Sequence, residues 1–190
     1  MAVPRQVYVV VVAVLALVVS GCGSPGSRAP GGETNPAGDI PDNTAFVSFR
    51  PADGRYEIKV PEGWQRTVSG AAVSFTDKLN TIRVETLAAA AAPSVDSAKA
   101  AEVPAIQAAT RNFALQKVET VRRNAGDAVL IVYRADSQAD PVTGKIVPDS
   151  VERYEFWNNG VEAVVTLSGP VGADNVDPWR TVTDSLRWLP

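Results

Sequence analysis

A run of 13 apolar or tyrosine residues, Val7 to Val19, stands three positions before the only cysteine of the 190-residue chain, Cys22. A helix that spans a bilayer needs about 20 apolar residues, so this run is too short for a span and has the length of a signal-peptide core. A single cysteine also excludes an intramolecular disulfide, a thiolate metal cluster and a CxxC redox pair.

The residues between the apolar run and Cys22 are small: Ser20 and Gly21. An aliphatic residue, two small residues and a cysteine resemble the lipobox of bacterial lipoproteins, in which the cysteine thiol accepts a diacylglycerol. We therefore predict a signal peptide at residues 1–21 and a lipid-modified Cys22 that anchors the chain to the cell membrane, facing the extracytoplasmic side. The alternative is an ordinary export signal in which this cysteine is a coincidence.

Glycine and proline dominate the segment that follows Cys22, and Ile40 is its only sizeable apolar residue. Such a stretch buries too little surface to offset its chain entropy. We predict a lipidated cysteine and disordered tether at residues 22–45. The 145 residues that remain, 46–190, have the usual size of a single domain.

Histidine is absent from the whole chain. This excludes a Ser-His-Asp triad, a Cys-His pair and imidazole metal ligands. A Ser-Lys dyad stays possible, but no motif places a lysine beside a serine. Asp136 to Asp140 offers oxygen ligands without the EF-hand spacing, so we predict no metal site, no cofactor and no enzyme. The net charge of −3 and pI near 5.0 argue against a nucleic-acid partner.

The hydrophobic pattern of residues 46–190 predicts an α+β domain, with an antiparallel sheet of six to eight strands and helices packed on it. The apolar run Ala128 to Tyr133 is typical of a strand covered on both faces, and Asn159-Gly160 predicts a hairpin turn. Ser94 to Thr110 predicts a helix interrupted at Pro104. A last helix begins near Asp177, the expected N-cap, and its expected buried face comprises Trp179, Val182 and Leu186.

The residues Tyr56-Glu-Ile-Lys-Val-Pro-Glu-Gly-Trp64 resemble the opening motif of PsbP-like domains, and Asp184-Ser-Leu-Arg-Trp188 resembles the close of their last helix. That group includes the extrinsic photosystem II protein, bacterial DcrB proteins and actinobacterial LpqN-type lipoproteins. The resemblance implies an α/β/α sandwich, in which a curved antiparallel sheet carries helices on both faces. It implies a non-catalytic accessory role, and the Ala-, Val-, Gly- and Pro-rich composition favours the lipoprotein branch.

Aromatic side chains are the remaining candidates for a binding surface. Trp64, Trp157 and Trp179 are predicted as ligand-binding residues in a cleft between sheet and helix, with core packing as the alternative for each of them. We expect a non-enzymatic envelope module with a protein or envelope partner, or a carrier with a lipid or glycan in a pocket between sheet and helices.

Overall fold

The computed structural model describes residues 37–140 and 142–190. The predicted signal peptide, Cys22 and the tether as far as residue 36 lie outside the described residues. Ten strands are formed: β1 (Phe46–Phe49), β2 (Tyr56–Pro61), β3 (Gln65–Ser69), β4 (Ala72–Asp77), β5 (Asn80–Ala88), β6 (Ala114–Arg123), β7 (Gly126–Asp136), β8 (Pro148–Asn158), β9 (Val161–Pro170) and β10 (Arg187–Trp188). The helices are α1 (Val95–Ser97), a π-helical segment (Ala98–Glu102), α2 (Val103–Ala109) and α3 (Val176–Ser185).

The strands form two antiparallel sheets. Seven of them make one large sheet in the order β3-β4-β5-β9-β8-β7-β6, and a small sheet has the order β1-β2-β10. The large sheet confirms the expected six to eight strands, whereas the small sheet was not predicted. In the hairpin between β8 and β9, Asn159 and Gly160 have φ values of +46° and +84°, the left-handed conformations that a tight hairpin turn requires.

Both faces of the large sheet are covered. On the first face, β2 of the small sheet and α3 pack against the sheet, and Ile58, Leu167 and Leu186 are each at most 1% exposed there. On the second face, Ala98 and Val103 of the helical segment pack against β7 and β8. Successive residues of β7 therefore enter different cores, which confirms a strand buried on both sides.

The first helical region is interrupted as predicted. Ser94 is its N-cap, and the Ser94 side chain accepts a hydrogen bond from the Ser97 backbone amide at 3.0 Å. The π-helical segment follows, and the Val103 amide bonds to the Ala98 carbonyl five residues back. Because Pro104 has no amide to continue a regular α-helical ladder, the wider turn lies directly before it.

The start of α3 differs from the prediction. Its N-cap position is Asn175, and Asp177 lies in the first turn rather than at the cap. The Asn175 side chain makes no capping bond, because its Oδ1 accepts from the Ile40 amide at 2.8 Å and its Nδ2 donates to the Gly38 carbonyl at 3.1 Å. Trp179 and Val182 of the predicted face are buried on α3, and Leu186, which is also buried, follows the last residue of the helix.

Residues 38–40 also differ from the expected disordered tether. Ile40 is 4% exposed and belongs to the core on the first face of the large sheet. The Gly38 carbonyl accepts a second hydrogen bond, from Asn80 Nδ2 at 2.8 Å. Because Asn80 and Asn175 supply partners for the backbone of this segment, the packed part of the chain begins before Phe46.

Candidate functional site

The structure does not bring the three predicted tryptophans together, because two lie at the first face of the large sheet and one lies at the second. Trp64 follows the turn after β2, is half-buried against the core of the first face, and lines a cavity of about 210 Å³. Trp179 is 7% exposed within the same core. Trp157 lies on β8 at the second face, where its indole N–H donates to the Ala89 carbonyl at 2.9 Å. The structure thus brings Trp64 and Trp179 to one core and separates Trp157 from both.

A chain of charged side chains crosses the second face between β5 and β8. Glu155 is 1% exposed, and Arg153 Nε donates to its Oε1 at 2.9 Å. Arg153 also lies 4.0 Å from Glu85, which accepts a hydrogen bond from Arg83 at 2.7 Å. Burial raises the pKa of Glu155 despite the neighbouring guanidinium. Glu85 and Glu155 each have an arginine partner, whereas burial and the neighbouring Glu155 carboxylate raise the pKa of Glu162 on the same face.

A cavity of about 660 Å³ lies at the other end of the second face. Its floor is a polar row of four residues, Ser168, Thr81, Thr76 and Gln65, which stand directly opposite one another on β9, β5, β4 and β3. The hydroxyl oxygens of Thr76 and Thr81 are 3.3 Å apart. Because paired strands hold neighbouring side chains at fixed spacing, the row is a rigid line of hydrogen-bonding groups.

Asp149 extends this polar row at its β8 end. Val151 of β8 stands opposite Ser168, and Asp149 lies two residues before Val151. Because alternate residues of a strand point the same way, Asp149 lies on the same face of the sheet as Ser168. Asp149 is 6% exposed, and its Oδ1 has no hydrogen-bond partner within residues 37–140 and 142–190. Burial raises the pKa of this carboxyl from 3.8 to about 6. An ionisable group buried without a partner is uncommon in a structural role and marks a candidate functional site.

The loop between β7 and β8 forms the roof of the cavity. Asp140 and Lys145 line the cavity from this loop, Asp77 lines it from the end of β4, and Lys78 lines it from the turn that follows. The Asp140 carboxylate is already occupied, because its Oδ1 accepts from the amides of Val142 and Thr143 and from the Thr143 hydroxyl. These bonds lower the pKa of Asp140. The cavity therefore combines a fixed polar floor with a charged rim.

Asp136 to Asp140, the segment with possible calcium ligands, is used differently in the structure. Asp136 accepts a hydrogen bond from Asn112 at 2.9 Å, and Asp140 orders its own turn. Within the described part of the chain, no three acidic or cysteine side chains come together as metal ligands. The Asp136 carboxylate therefore joins the end of β7 to the turn before β6, and the Asp140 carboxylate orders its own loop.

The sequence reasoning missed Asp149. Asp149 is the second residue of β8. The sequence signal was the alternation of Asp149, Val151 and Arg153, which lie on one face of β8. This alternation places a charged residue on a covered face of the sheet.

The described residues include no helix long and apolar enough to cross a membrane. No family model and no curated protein sequence matches the chain. Among solved structures, the cyanobacterial PsbP protein of Synechocystis has a TM-score of 0.53 at 17% identity, over 85% of this chain and 99% of that protein. This likeness confirms the expected PsbP-like α+β fold with an open antiparallel sheet.

Two further structures are similar at lower TM-scores. LpqN of Mycobacterium tuberculosis, a protein involved in cell envelope biogenesis, has a TM-score of 0.45 at 12% identity, over 78% of this chain and 93% of that one. A Bacteroides thetaiotaomicron protein has a TM-score of 0.49 at 12% identity over 75% of this chain. This chain spans 48% of the length of the Bacteroides protein.

Proposed function

We propose that this chain is a lipid-anchored, extracytoplasmic, non-enzymatic binding module of the cell envelope. The observation that carries the binding role is the cavity of about 660 Å³ lined by Asp149, whose buried Oδ1 lacks a hydrogen-bond partner in the described part of the chain. A cavity with a fixed floor and a few convergent polar groups is the usual form of a binding site. The PsbP-like fold and a sequence without histidine support an accessory role over catalysis.

The anchoring part of the proposal depends on the lipobox-like sequence before Cys22. Cys22→Ala should abolish incorporation of a labelled fatty acid and leave the precursor unprocessed. Ser24→Ala, two residues further on, is the matched control and should be labelled and processed normally. Normal processing of the Cys22→Ala protein would refute the lipid anchor.

The partner of the module is proposed to be an envelope protein or another envelope component that contacts the cavity rim. Val142, which is 90% exposed in the roof loop, and Val176, which is 69% exposed at the start of α3, allow a matched test. A photo-crosslinking amino acid is placed at each position in turn, and intact cells are irradiated. A distinct crosslinked species from position 142 alone supports the proposal. The same species from both positions, or none from either, would contradict it.

A small-ligand carrier, with a lipid or a glycan as cargo, is the second candidate function. The volume of the cavity favours this possibility, although the cavity lies between the sheet and a loop rather than between the sheet and helices. Its hydroxyl, amide and carboxyl lining suits a glycan better than an acyl chain. Native mass spectrometry of the protein extracted from its own membranes is the test. A retained small molecule supports the carrier, and a clean mass of the bare protein contradicts it.

A further inference from the structure

The charges around the cavity do not balance. Asp77, Asp140 and Asp149 contribute three carboxyl groups, and Lys78 and Lys145 contribute two ammonium groups. When Asp149 is ionised, the lining therefore carries one surplus negative charge, and this charge is buried at the end of the polar row. A ligand with one positive charge would neutralise it, whereas an anion would be repelled.

Hydroxyl groups, which can both accept and donate hydrogen bonds, follow Asp149 along the floor of the cavity. Ser168 lies on the neighbouring strand β9, and Thr81 stands directly opposite Ser168 on β5. A primary ammonium group has three N–H donors and no acceptor. The Asp149 carboxylate and the Ser168 hydroxyl on the adjacent strand can accept two of these donors, and the carboxylate bond is charge-assisted.

The rest of the polar row continues away from Asp149. Thr76 and Gln65 extend it across two further strands and offer both donors and acceptors. Hydroxyl groups of a ligand can pair with these side chains, whereas an aliphatic chain would leave them desolvated without partners. Within the described part of the chain, no three acidic or cysteine side chains come together as possible metal ligands.

We propose that this cavity binds a small hydroxylated primary amine, in the chemical class of an amino sugar, with its ammonium group on Asp149 and Ser168 and its hydroxyl groups along Thr81, Thr76 and Gln65. The inference rests on the proposed binding function and names the ligand class for it. It needs neither the lipid on Cys22 nor a protein partner.

Three probes separate the parts of this proposal in NMR titrations of the full-length chain in detergent micelles and phosphate buffer. Glucosamine carries both an ammonium group and hydroxyls, N-acetylglucosamine lacks the charge, and n-butylamine lacks the hydroxyls. We expect glucosamine to shift the backbone amides of Ser168 and Thr81 and to bind at least ten-fold more tightly than either of the other two. Equal binding of the three, or shifts confined to other parts of the chain, would overturn the proposal.

Variants of the floor test the roles of its side chains. Asp149→Asn should weaken glucosamine binding at least ten-fold and remove the preference over N-acetylglucosamine, and Ser168→Ala gives a second test that leaves the carboxyl in place. The exposed Asp42 lines none of the cavities described above, so Asp42→Asn is the matched control and should bind as the unmodified protein does. Unchanged binding by Asp149→Asn would refute the ammonium site.

The acidity of Asp149 gives an independent readout. A carboxyl with a pKa of about 6 is mostly ionised at pH 7 and mostly protonated at pH 5, so glucosamine binding should weaken roughly ten-fold between these values. The other charged groups that face the cavity, Asp77, Lys78, Asp140 and Lys145, are unchanged in Asp149→Asn. That variant should show no such pH dependence, and a retained dependence would contradict the assignment. Processing of Cys22 is measured separately, so a failed titration would leave the anchoring result standing.

Discussion

Replacement of Asp149 by asparagine should make the protein more stable at neutral pH. Asp149 is 6% exposed, and its Oδ1 has no partner in the part of the chain that the structure describes. Burial raises the pKa of its carboxyl from 3.8 to about 6. Between these two values the folded protein holds a proton that the unfolded chain has released, so the free energy of unfolding falls as the pH rises.

The size of this effect follows from the two pKa values. A rise from 3.8 to about 6 corresponds to a penalty of about 3 kcal/mol once the pH exceeds 6, and to almost none below pH 3.8. Asparagine has nearly the same shape and no charge, so it avoids the pH-dependent penalty. Relative to the unmodified protein, Asp149→Asn should therefore gain about 2 kcal/mol in unfolding free energy between pH 4 and pH 7.5.

Urea unfolding, followed by tryptophan fluorescence at several pH values, measures this difference directly. Asp77, Lys78, Asp140 and Lys145 also face the cavity, but they are present in both proteins, so their titration largely cancels in the comparison. Asp42→Asn is the matched control and should follow the unmodified protein at every pH. A difference that stays constant with pH, or a variant that loses stability as the pH rises, would show that the Asp149 carboxylate has a partner and would refute the reasoning.

Three further predictions concern the packing of the domain. Leu186→Ala, at a site 1% exposed in the core, should lower the unfolding free energy by about 2–5 kcal/mol in urea titrations. Asn175→Ala removes the acceptor of the Ile40 amide and should cost about 1–3 kcal/mol, with faster hydrogen exchange at that amide. Two arginines lower the pKa of Glu57 below its usual 4.5, so their stabilising contribution is present above pH 4.5 and is lost on acidification. Glu57→Gln should remove this acid dependence from hydrogen exchange in β10, and an unchanged dependence would contradict it.

The parts of the fold that the sequence predicts well have local signals. The run Ala128 to Tyr133 is apolar at every position, so it predicts a strand covered on both sides without knowledge of its neighbours. Asn159 and Gly160 tolerate positive φ, which identifies the hairpin turn. The spacing of Trp179 and Val182 identifies the buried face of α3 in the same way.

The elements that were missed depend on partners far away in the sequence. β3 is an edge strand in which every residue is exposed, so it has no hydrophobic alternation to reveal it. β10 has only two residues and is defined by its pairing with β2. Ile40 becomes part of the core because Asn80 and Asn175 bind the backbone beside it, and these side chains lie 40 or more positions along the chain. No local pattern around Ile40 contains that information.

The candidate site was not predicted from the sequence, because the burial of Asp149 departs from the usual placement of charged residues at the surface. Sequence reasoning assigns a charged residue to the surface and an aromatic residue to a core or a cleft, and both assignments minimise the cost of folding. Trp179 follows these rules and lies in the core, whereas Asp149 is buried without a partner in the described part of the chain, at a cost of about 3 kcal/mol at neutral pH. Violations of this kind are expected at functional sites, where a ligand supplies the interaction that folding leaves unmade. The stability cost and the proposed ammonium site thus concern one carboxyl group, and Asp149→Asn should gain stability at neutral pH while it loses the ligand.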